Sequence, residues 1–253
     1  MAAEATEQLS VHYTLKPSPY SSHTLLLGTL PVDGTGLRLL DLGCGNGEMG
    51  ALLAARGFEV TGVERMGGTD ARFPSCVRLI EADLDRGLPP VAGTFDYIIC
   101  ADILEHLKDP GALIRGITGL LSPGGSVVAS LPNSGNIYFR LKILMGQFPQ
   151  DDKGLFDRTH LRFYMWDGWR DLLERSGFKV VAVRPTGIPV GLAMPAAADS
   201  APVKAAEWLC YRGALAWKRL FAYQFVVVCL PAAGRGGLFS TYGNVQSGTQ
   251  ILF

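Results

Sequence analysis

A glycine-rich segment that follows a short apolar run has residue types that bind a charged cofactor. The apolar run covers residues 37–42, and the letters DLGCGNG occupy positions 41–47. Glycines at the end of a strand let the backbone approach a ligand closely, and the helix that follows turns its N-terminus toward that ligand. Gly45, Gly47 and Gly50 also satisfy the dinucleotide pattern, so this segment alone leaves a nicotinamide cofactor open.

Two of three acidic residues at predicted strand ends distinguish between the two candidate cofactors. Asp41 lies just ahead of the glycines, where its carboxylate would repel a pyrophosphate and can pair with an ammonium group. Glu64 ends the second predicted strand, where it can accept hydrogen bonds from the ribose of either cofactor or be a solvated charge. Asp83, followed by Leu84, ends the third predicted strand and suits an adenine amino group. This order favours S-adenosylmethionine over a nicotinamide dinucleotide.

A polar and aromatic segment before the sixth predicted strand can supply groups to an acceptor. Its donors, acceptors and ring faces are Asp157, Arg158, His160, Arg162 and Tyr164. An acceptor hydroxyl must lose its proton to a base, and imidazole is the side chain that most often serves as one. We therefore identify His160 and Tyr164 as candidate catalytic residues, and a purely structural role of the segment is the alternative.

Other histidine and tyrosine side chains are further candidates for the acceptor site. His106 follows Asp102 by one helical turn, and a capping role for it is equally compatible with the sequence. Tyr13, Tyr20 and His23 lie in the N-terminal segment and can form the opposite wall or pack against the fold. No group of His, Asp and Glu residues has the sequence spacing of a metal site, so we expect no metal.

The elements that must position these residues alternate between strands and helices. The predicted strands cover 37–42, 58–63, 77–80, 95–100, 126–131, 178–183 and 224–230. The predicted helices cover 47–56, 104–121, 166–176 and 203–221. Alternation at this spacing favours right-handed crossovers and an α/β, doubly wound parallel sheet. Because ligands bind beyond the carboxyl ends of such strands, the acceptor must enter there.

The chain length of 253 residues suits one sizeable core, so we expect a single domain over 1–253. Four segments lie outside the alternating pattern: an N-terminal cap segment at 1–36, an acceptor-side insertion at 133–165, a linker and helical insertion at 185–222 and a loose tail at 232–253. The acceptor-side insertion is the expected substrate cap, because it is polar and aromatic and precedes the sixth predicted strand.

The composition limits which partners and which cellular compartment we expect for the protein. Lys plus Arg and Asp plus Glu both number 23, so no net charge draws the chain to nucleic acid. The five cysteines are odd in number and form no Cys-x-x-Cys pair, which argues against a disulfide framework and a zinc site. The N-terminal residues lack the basic and apolar regions of a signal peptide, so we expect a cytoplasmic protein.

The predicted helix at 203–221 combines aromatic and basic residues. Its large apolar members are Trp208, Leu209, Tyr211, Leu215, Trp217, Leu220 and Phe221, and its cations are Lys204, Arg212, Lys218 and Arg219. Such a helix can lie on a membrane surface as a peripheral contact or touch a lipid-linked substrate. A packing helix or a homodimer helix is the alternative.

Five motifs in order resemble those of class I S-adenosylmethionine-dependent methyltransferases. They are LLDLGCGNG at 39–47, the strand-end Glu64, Asp83-Leu84, FDYIICADILEHL at 95–107 and LSPGG at 121–125. The resemblance is greatest to the branch of ubiquinone-biosynthesis O-methyltransferases and MetW-like proteins, and it covers about 37–184. It implies a Rossmann-like, seven-stranded sheet whose last strand, here 224–230, is antiparallel. The glycine-rich segment 65–76 departs from the family, which usually has a helix there.

The same resemblance implies which residues bind S-adenosylmethionine. The methionine end would be held by Asp41, Gly43, Cys44, Gly45 and Gly47, with Ala101 and Asp102 closing that side. The ribose would be held by Glu64, and the adenine by Asp83 and Leu84.

The implied reaction is methyl transfer to an oxygen or nitrogen of a small-molecule acceptor, such as a sugar, a quinone-like ring or a lipid-linked intermediate. Transfer from a sulfonium is an in-line displacement that gains from alignment and from exclusion of water, which a substrate cap provides. A nicotinamide-dependent oxidoreductase and a non-catalytic S-adenosylmethionine-binding protein are the alternatives.

Overall fold

The computed structural model describes residues 18–65, 73–152 and 154–232, and seven strands in these ranges form one sheet. Their order across the sheet is β3-β2-β1-β4-β5-β7-β6. The strands are β1 (Arg38–Leu42), β2 (Glu59–Glu64), β3 (Val77–Glu81), β4 (Phe95–Ala101), β5 (Leu121–Pro132), β6 (Phe178–Pro185) and β7 (Gln224–Pro231). The first five strands pair in parallel, and β7 runs antiparallel to both β5 and β6. The predicted sheet, with its antiparallel last strand, is confirmed.

The fifth strand begins earlier than the sequence predicts. Its pairing with β4 starts at Leu121 opposite Phe95 and continues at Ser126 opposite Tyr97. The predicted boundary at Ser126 is wrong because the two glycines at 124–125, interpreted as a turn, form an irregularity within the strand. Gly124 has a φ of 83°, which glycine adopts without the steric cost that other residues meet.

Eight helices accompany the strands within the described ranges. They are α1 (Ser22–Leu27), α2 (Glu48–Ala55), α3 (Pro110–Ile117), α4 (Ile137–Leu144), α5 (Trp166–Arg175), α6 (Val190–Ala193), α7 (Ala201–Ala216) and α8 (Lys218–Phe221). Short 3-10 turns cover Leu84–Arg86, Leu104–His106, Thr118–Leu120 and Pro195–Ala197.

The single helix predicted over 104–121 is wrong in its extent. Pro110 stands at the first turn of α3, and the Asp109 side chain accepts a hydrogen bond from the backbone N–H of Ala112 at 2.9 Å. A capping side chain followed by proline starts a helix, because proline lacks the N–H that an earlier turn would need. The chain before Asp109 therefore forms only a 3-10 turn at Leu104–His106.

Helices cover both faces of the sheet and divide the core in two. In β1, Leu40 and Leu42 join the cluster under α3 and α5, whereas Leu39 joins the cluster under α1 and α2. This division follows from the alternation of side chains along a strand. The indole N–H of Trp169 in α5 donates to the carbonyl of Pro132 at 2.8 Å, which fixes α5 against the end of β5.

The two insertions meet beside the carboxyl end of β5. The Asn133 side-chain amide donates to the carbonyl of Ala222 at 2.8 Å, and the Asn136 amide donates to the same carbonyl at 2.9 Å. These bonds join the start of α4 to the end of α8. The part of the predicted linker and helical insertion before residue 203 contains α6 and a 3-10 turn. The helix predicted at 203–221 is broken at Trp217, whose φ of −145° is not helical.

Across the described ranges, no helix has both the length and the apolar character needed to cross a bilayer. Tyr13, the tail from residue 233 and residues 66–72 of the glycine-rich segment lie outside the described residues.

Candidate active site

The glycine loop after β1 has the backbone shape of a ligand cradle. Gly43, Gly45 and Gly47 have φ angles of 74°, 53° and 76°, a region that L side chains rarely adopt. The N–H groups of Gly43 and Cys44 donate to the carbonyl of Val63 at 2.8 and 3.2 Å. These bonds hold the loop to the end of β2, and Gly47 then starts α2.

Glu64 at the end of β2 is bonded directly to this loop. One carboxylate oxygen, Oε2, accepts from the N–H of Gly45 at 2.8 Å, and Oε1 accepts from the N–H of Arg65 at 2.9 Å. Each carboxylate oxygen can accept a second hydrogen bond, so ribose hydroxyls can bind Glu64 without displacing the loop. The structure thus brings the predicted ribose residue and the predicted methionine loop together.

Asp41 lies buried beneath the same loop, with a side chain that is 2% exposed. Its Oδ1 has no hydrogen-bond partner in the described structure, and burial together with the nearby Glu64 raises the pKa of Asp41 to about 7. A buried carboxylate oxygen without a partner is costly, and a cationic group placed beside it relieves that cost. Asp41 therefore fits the ammonium end of S-adenosylmethionine.

The residues predicted to bind the adenine follow β3. The N–H of Ala82 donates to the carbonyl of Glu64 at 2.8 Å, which places this segment beside the predicted ribose residue. The Asp83 side chain accepts from the N–H of Asp85 at 3.0 Å and starts a 3-10 turn, while Leu84 packs against the core. Phe73 lies close to Gly47, where a Cβ would be 2.8 Å from its ring.

Asp102, directly after Ala101 at the end of β4, is held in an unusual conformation. It is the one non-glycine residue with a positive φ, 51°, in the described chain. Its backbone N–H donates to Ser130 Oγ at 2.9 Å, and the Ser130 hydroxyl donates to Asp102 Oδ1. Gln224 Nε2 also donates to Oδ1, at 2.8 Å. Ser130 and Gln224 were not predicted from the sequence, because neither is near Asp102 in the chain.

His23 of α1 faces Asp102 from the N-terminal side. Its Nε2 lies 3.8 Å from Asp102 Oδ2, and the two side chains are 12% and 15% exposed. The sequence prediction that the N-terminal segment forms a wall opposite the insertion is therefore consistent with where His23 lies. Tyr20 instead stacks on Tyr211 of α7, with ring centroids 4.6 Å apart, so it packs against the second insertion.

His160 and His106 lie together on the other side of the site. Their rings meet edge to face with centroids 4.7 Å apart, and His160 Nε2 is 3.9 Å from Oε1 of the buried Glu105. His106 Nδ1 lies 3.2 Å from the carbonyl of Thr159 and 3.0 Å from its hydroxyl. Burial and the neighbouring His106 lower the pKa of His160 to about 4, so this imidazole is neutral at pH 7.

Glu105, His106 and His160 form a group that can hold a metal ion. One ligand atom from each residue lies within 4.8 Å of the others. This group could not be predicted from the sequence, because His160 comes from the insertion. It reaches Glu105 because the N–H groups of Leu161 and Arg162 donate to the backbone carbonyl of Glu105. The expectation that the protein uses no metal stays a prediction.

The other polar residues of the insertion make contacts that stabilise the insertion and attach it to the rest of the fold. The Asp157 carboxylate accepts from the N–H and the hydroxyl of Thr159 at 2.8 and 2.6 Å. Arg158 pairs with Asp152, and Arg162 donates to the carbonyl of Lys108. The ring of Tyr164 packs edge-on against Trp169 at 4.8 Å, at the border of the core.

An aromatic cluster next to His160 was not singled out from the sequence. Phe139 stacks on Phe156 with centroids 4.3 Å apart, and Phe148 meets Phe163 at 5.3 Å. The ring of Phe163 is 6.1 Å from that of His160, while Phe148 and Phe163 are 49% and 39% exposed. This surface can receive a flat apolar ring. The four phenylalanines between 139 and 163 were the sequence signal that could have indicated this cluster.

The sheet order, the glycine loop after β1 and the acidic residues after β2 and β3 are those of an α/β domain of the methyltransferase type. The family model described as "Methyltransferase domain" matches residues 17–183, and the chain belongs to this family. The family membership identifies S-adenosylmethionine, and not a nicotinamide dinucleotide, as the cofactor, and its binding by the glycine loop stays a prediction.

Individual relatives agree with this assignment. The ubiquinone biosynthesis O-methyltransferase of Psychrobacter arcticus is 35% identical over 109 residues, which are 39% of this chain and 42% of that protein. The chain spans about half the length of the curated relatives it matches.

A solved S-adenosylmethionine-dependent methyltransferase from Mesorhizobium loti is 22% identical, with a TM-score of 0.57 over 83% of this chain and 97% of that one. The 1,6-didemethyltoxoflavin-N1-methyltransferase of Burkholderia thailandensis, solved with S-adenosylhomocysteine, is 17% identical, with a TM-score of 0.51 over 83% of this chain and 76% of that one. At these identities the two structures show a shared fold.

Proposed function

We propose that the protein transfers a methyl group from S-adenosylmethionine to an oxygen of a small acceptor with a quinone-like or phenolic ring. The observation that carries the proposal is the cofactor pocket itself, in which Glu64 is bonded to Gly45 and the buried Asp41 has an oxygen without a partner. The sulfonium cofactor supplies both the ribose hydroxyls and the ammonium group that these two carboxylates match.

The aromatic cluster of the acceptor-side insertion supports the choice of acceptor. Phe148 and Phe163 expose ring faces beside His160, and stacked or edge-on contacts between rings add to the free energy of binding. A sugar has no flat apolar face, so it gains less from such a wall. The relatives named ubiquinone biosynthesis O-methyltransferases favour the same class of acceptor.

Different residues of the site contribute to different parts of an in-line displacement. The glycine loop, Asp41 and Glu64 fix the cofactor, and the insertion excludes water and aligns the acceptor oxygen with the methyl carbon. His160 and His106 line the acceptor wall, where a neutral imidazole can exchange hydrogen bonds with the acceptor. Tyr164 supports this wall through its contact with Trp169.

Calorimetry with S-adenosylhomocysteine and with NAD tests the cofactor. Binding of NAD without binding of S-adenosylhomocysteine would support the oxidoreductase alternative. Transfer assays with S-adenosylmethionine and a series of catechols, sugars and amines then test the acceptor, and we expect turnover with catechols. Cofactor binding without turnover on any of the three classes would identify a non-catalytic binding protein.

The surface of α7 and α8 supports a second proposal, that the protein contacts an anionic membrane surface. Trp208, Leu209, Leu215 and Trp217 are between 49% and 62% exposed. The acidic residue among positions 201–222 is Glu207, which is buried and bonded to Ser18 and Gly191. Lys204 and Arg219 pair with Asp199 and Asp167, whereas Arg212 lies over the ring of Trp208 and Lys218 over that of Trp166. Exposed apolar rings beside such cations suit anionic headgroups.

Vesicle flotation tests this contact. We expect binding to vesicles that contain phosphatidylglycerol, weaker binding to phosphatidylcholine alone, and loss of binding in the Trp208→Ala variant. Val32→Ala removes a more exposed apolar side chain elsewhere and should bind as the wild type does. A dimer in solution that Trp208→Ala dissociates, without any vesicle binding, would show that this surface is a homodimer interface.

The compartment is also a proposal. All five cysteines are free thiols, and three of them, Cys44, Cys100 and Cys229, are buried. Free thiols are typical of a reducing compartment, which supports the cytoplasm.

A further inference from the structure

We propose that Tyr223 is a positioning residue that holds the acceptor-side insertion through the contact of its hydroxyl with Gly154. This inference rests on the proposed function, since it concerns the wall that receives the acceptor. Tyr223 was not singled out from the sequence, because it precedes the predicted last strand and lies far from Gly154 in the chain. The structure adds a fixed backbone, a close contact and a turn that carries the acceptor wall.

The backbone of Tyr223 is fixed at the edge of the sheet where we expect the acceptor. Its N–H donates to the carbonyl of Thr186, directly after β6, at 3.1 Å, and its carbonyl accepts from the N–H of Asn133, directly after β5, at 3.0 Å. The next residue, Gln224, starts β7 and donates its side-chain amide to Asp102 Oδ1, just after β4. Tyr223 therefore lies among the carboxyl ends of parallel strands, where ligands bind in sheets of this kind.

The side chain of Tyr223 reaches from this edge to the insertion. Its ring packs against the cluster formed by Phe139, Leu155 and Phe156. Its hydroxyl oxygen lies 2.8 Å from the position that a Cβ would take at Gly154. Apart from the chain neighbours of Gly154, no other atom of the described residues comes within 4 Å of that position. Gly154 has a φ of 97° and no side chain, so the chain can close on the hydroxyl.

The turn that starts at Gly154 carries the acceptor wall. The N–H of Asp157 donates to the carbonyl of Gly154 at 3.2 Å, and the N–H of His160 donates to the carbonyl of Asp157 at 3.1 Å. Phe156, in the same turn, stacks on Phe139 with centroids 4.3 Å apart. A shift of Gly154 therefore moves both the imidazole and the aromatic cluster that we expect to contact the acceptor.

The hydroxyl of Tyr223 acts through this contact and not as a base. Burial, followed by the negative charge of Asp102, raises the pKa of Tyr223 to about 12, although a hydrogen bond with the backbone of Leu155 lowers it in part. A phenol with this pKa keeps its proton at neutral pH, so it removes no proton from the acceptor. Its contribution is to fix the position of groups that do contact the acceptor.

Hydrogen exchange in the full-length chain without acceptor tests the contact. Tyr223→Phe keeps the ring and removes the hydroxyl, so the aromatic cluster stays packed while the turn loses a contact. The N–H of Asp151 donates to the carbonyl of Phe156 at 2.9 Å. In Tyr223→Phe, the N–H groups of Asp151 and Asp157 should exchange about fivefold faster, the factor that one neutral hydrogen bond contributes. Exchange in β1 should not change.

Kinetics with a catechol test whether the contact matters for the reaction. In Tyr223→Phe we expect KM for the catechol to rise about fivefold, for the same reason, with kcat and the affinity for S-adenosylhomocysteine unchanged. The ratio of kcat/KM between variant and wild type should stay constant from about pH 6 to about pH 9, because the phenol does not titrate there. A merely structural role would lower stability and leave KM as it is.

Gly154→Ala disturbs the same contact from the other side. Its added Cβ would lie 2.8 Å from the hydroxyl, so the turn must move away, and we expect KM for the catechol to rise. In the Tyr223→Phe background the oxygen is gone, so Gly154→Ala should raise KM less than it does alone. Gly177→Ala is the matched control, because Gly177 has a similar φ of 94° and its added Cβ, chain neighbours apart, has no atom of the described residues within 4 Å. It should cost stability without changing KM.

The possible results separate the role of Tyr223 from the proposed function. A wild-type KM or a wild-type exchange rate in Tyr223→Phe, weaker binding of S-adenosylhomocysteine, or additive effects in the double variant would overturn the role of Tyr223. If Tyr223→Phe does not fold, Gly154→Ala is compared with Gly177→Ala, and equal KM values for these two would overturn it. A wild-type protein that methylates no catechol would contradict the proposed function, while the exchange rates would still test the contact.

Discussion

The cofactor side and the acceptor side of this site are built in different ways. On the predicted cofactor side, Glu64 bonds to Gly45, which is 19 residues away in the sequence and in the loop after the neighbouring strand β1. On the acceptor side, Asp102 bonds to Gln224 across 122 residues, and His106 contacts Thr159 across 53. The first is a local unit of two strands and a loop, whereas the second joins elements from the whole chain.

Because of this difference, we expect substitutions on the two sides to affect separate properties. The cofactor loop is held by backbone N–H groups that bond to Val63 and Glu64, so its shape depends little on the insertions. The acceptor wall depends on α1, on the segment that carries His160 and on β7. Variants on the cofactor side should therefore change cofactor affinity alone, and variants on the acceptor side should change acceptor kinetics alone.

The largest expected effect is on the cofactor side. Glu64→Ala should weaken binding of S-adenosylhomocysteine by about 1.5–3 kcal/mol, the range for hydrogen bonds to a charged partner, and should leave the fold intact. Calorimetry measures the change. Glu59→Ala, at the exposed start of the same strand, is the matched control and should bind normally. Unchanged affinity in Glu64→Ala would remove Glu64 from the ribose site.

Asp41 should give the cofactor-free protein a pH-dependent stability. Its pKa is raised to about 7, so the folded state binds a proton that the unfolded state has released. The stabilisation is complete below about pH 4 and is lost as the pH rises to about 7. Between pH 5 and pH 8 we expect the free energy of unfolding to fall by roughly 2 kcal/mol more in the wild type than in Asp41→Asn.

Urea unfolding at the two pH values measures this difference between the wild type and Asp41→Asn. Parallel pH dependences in the two proteins would show that Asp41 is ionised in the folded state throughout. The variant should also bind S-adenosylhomocysteine more weakly, while its unfolding transition stays cooperative.

On the acceptor side, His160→Ala should raise the KM for the acceptor about fivefold, the equivalent of one hydrogen bond of about 1 kcal/mol. Cofactor affinity should not change. Arg158→Ala, which removes an exposed ion pair with Asp152, is the control from the same segment. A fall of about 10²–10⁴-fold in kcat at constant KM would instead assign the proton transfer to His160. A loss of stability without either change would show a structural role.

The smallest effect is expected at the aromatic cluster. Phe148 is half exposed, so Phe148→Ala should keep the fold and raise the KM of a catechol by a few fold, since one ring contact contributes about 0.5–1.5 kcal/mol. Steady-state kinetics measure it. Val181→Ala, which removes an exposed side chain from β6, should behave as the wild type. An unchanged KM for every aromatic acceptor would move the acceptor site away from Phe148.

Much of the fold could be predicted from the sequence because each strand is a short apolar run bounded by turn residues. The runs before Asp41 and Glu64 gave two strands and, with them, the cofactor loop. The errors fall where local signals compete. Pro110 was accepted within a longer helix although it starts one, and Gly124 was interpreted as a turn although β5 continues through it.

The acceptor site could be predicted only in part. His160 and His23 were named from their residue types, but their partners were not, because Glu105 and Asp102 reach them through the packing of separate elements. The aromatic cluster was missed for the same reason, since phenylalanines in an irregular segment have no period that indicates a shared surface.

By itself, the sequence determined the order of the seven strands, the glycine loop and the acidic residues from which the cofactor was predicted. These features depend on neighbouring residues, whose backbone preferences and spacing operate over a single turn or strand. Only the tertiary structure decided that Asp102 faces His23 and that Glu105 meets His160, because those contacts require the sheet to close and two insertions to pack beside β5. The physical reason is that side chains distant in sequence come into contact when the core is buried. A local sequence pattern does not indicate such contacts.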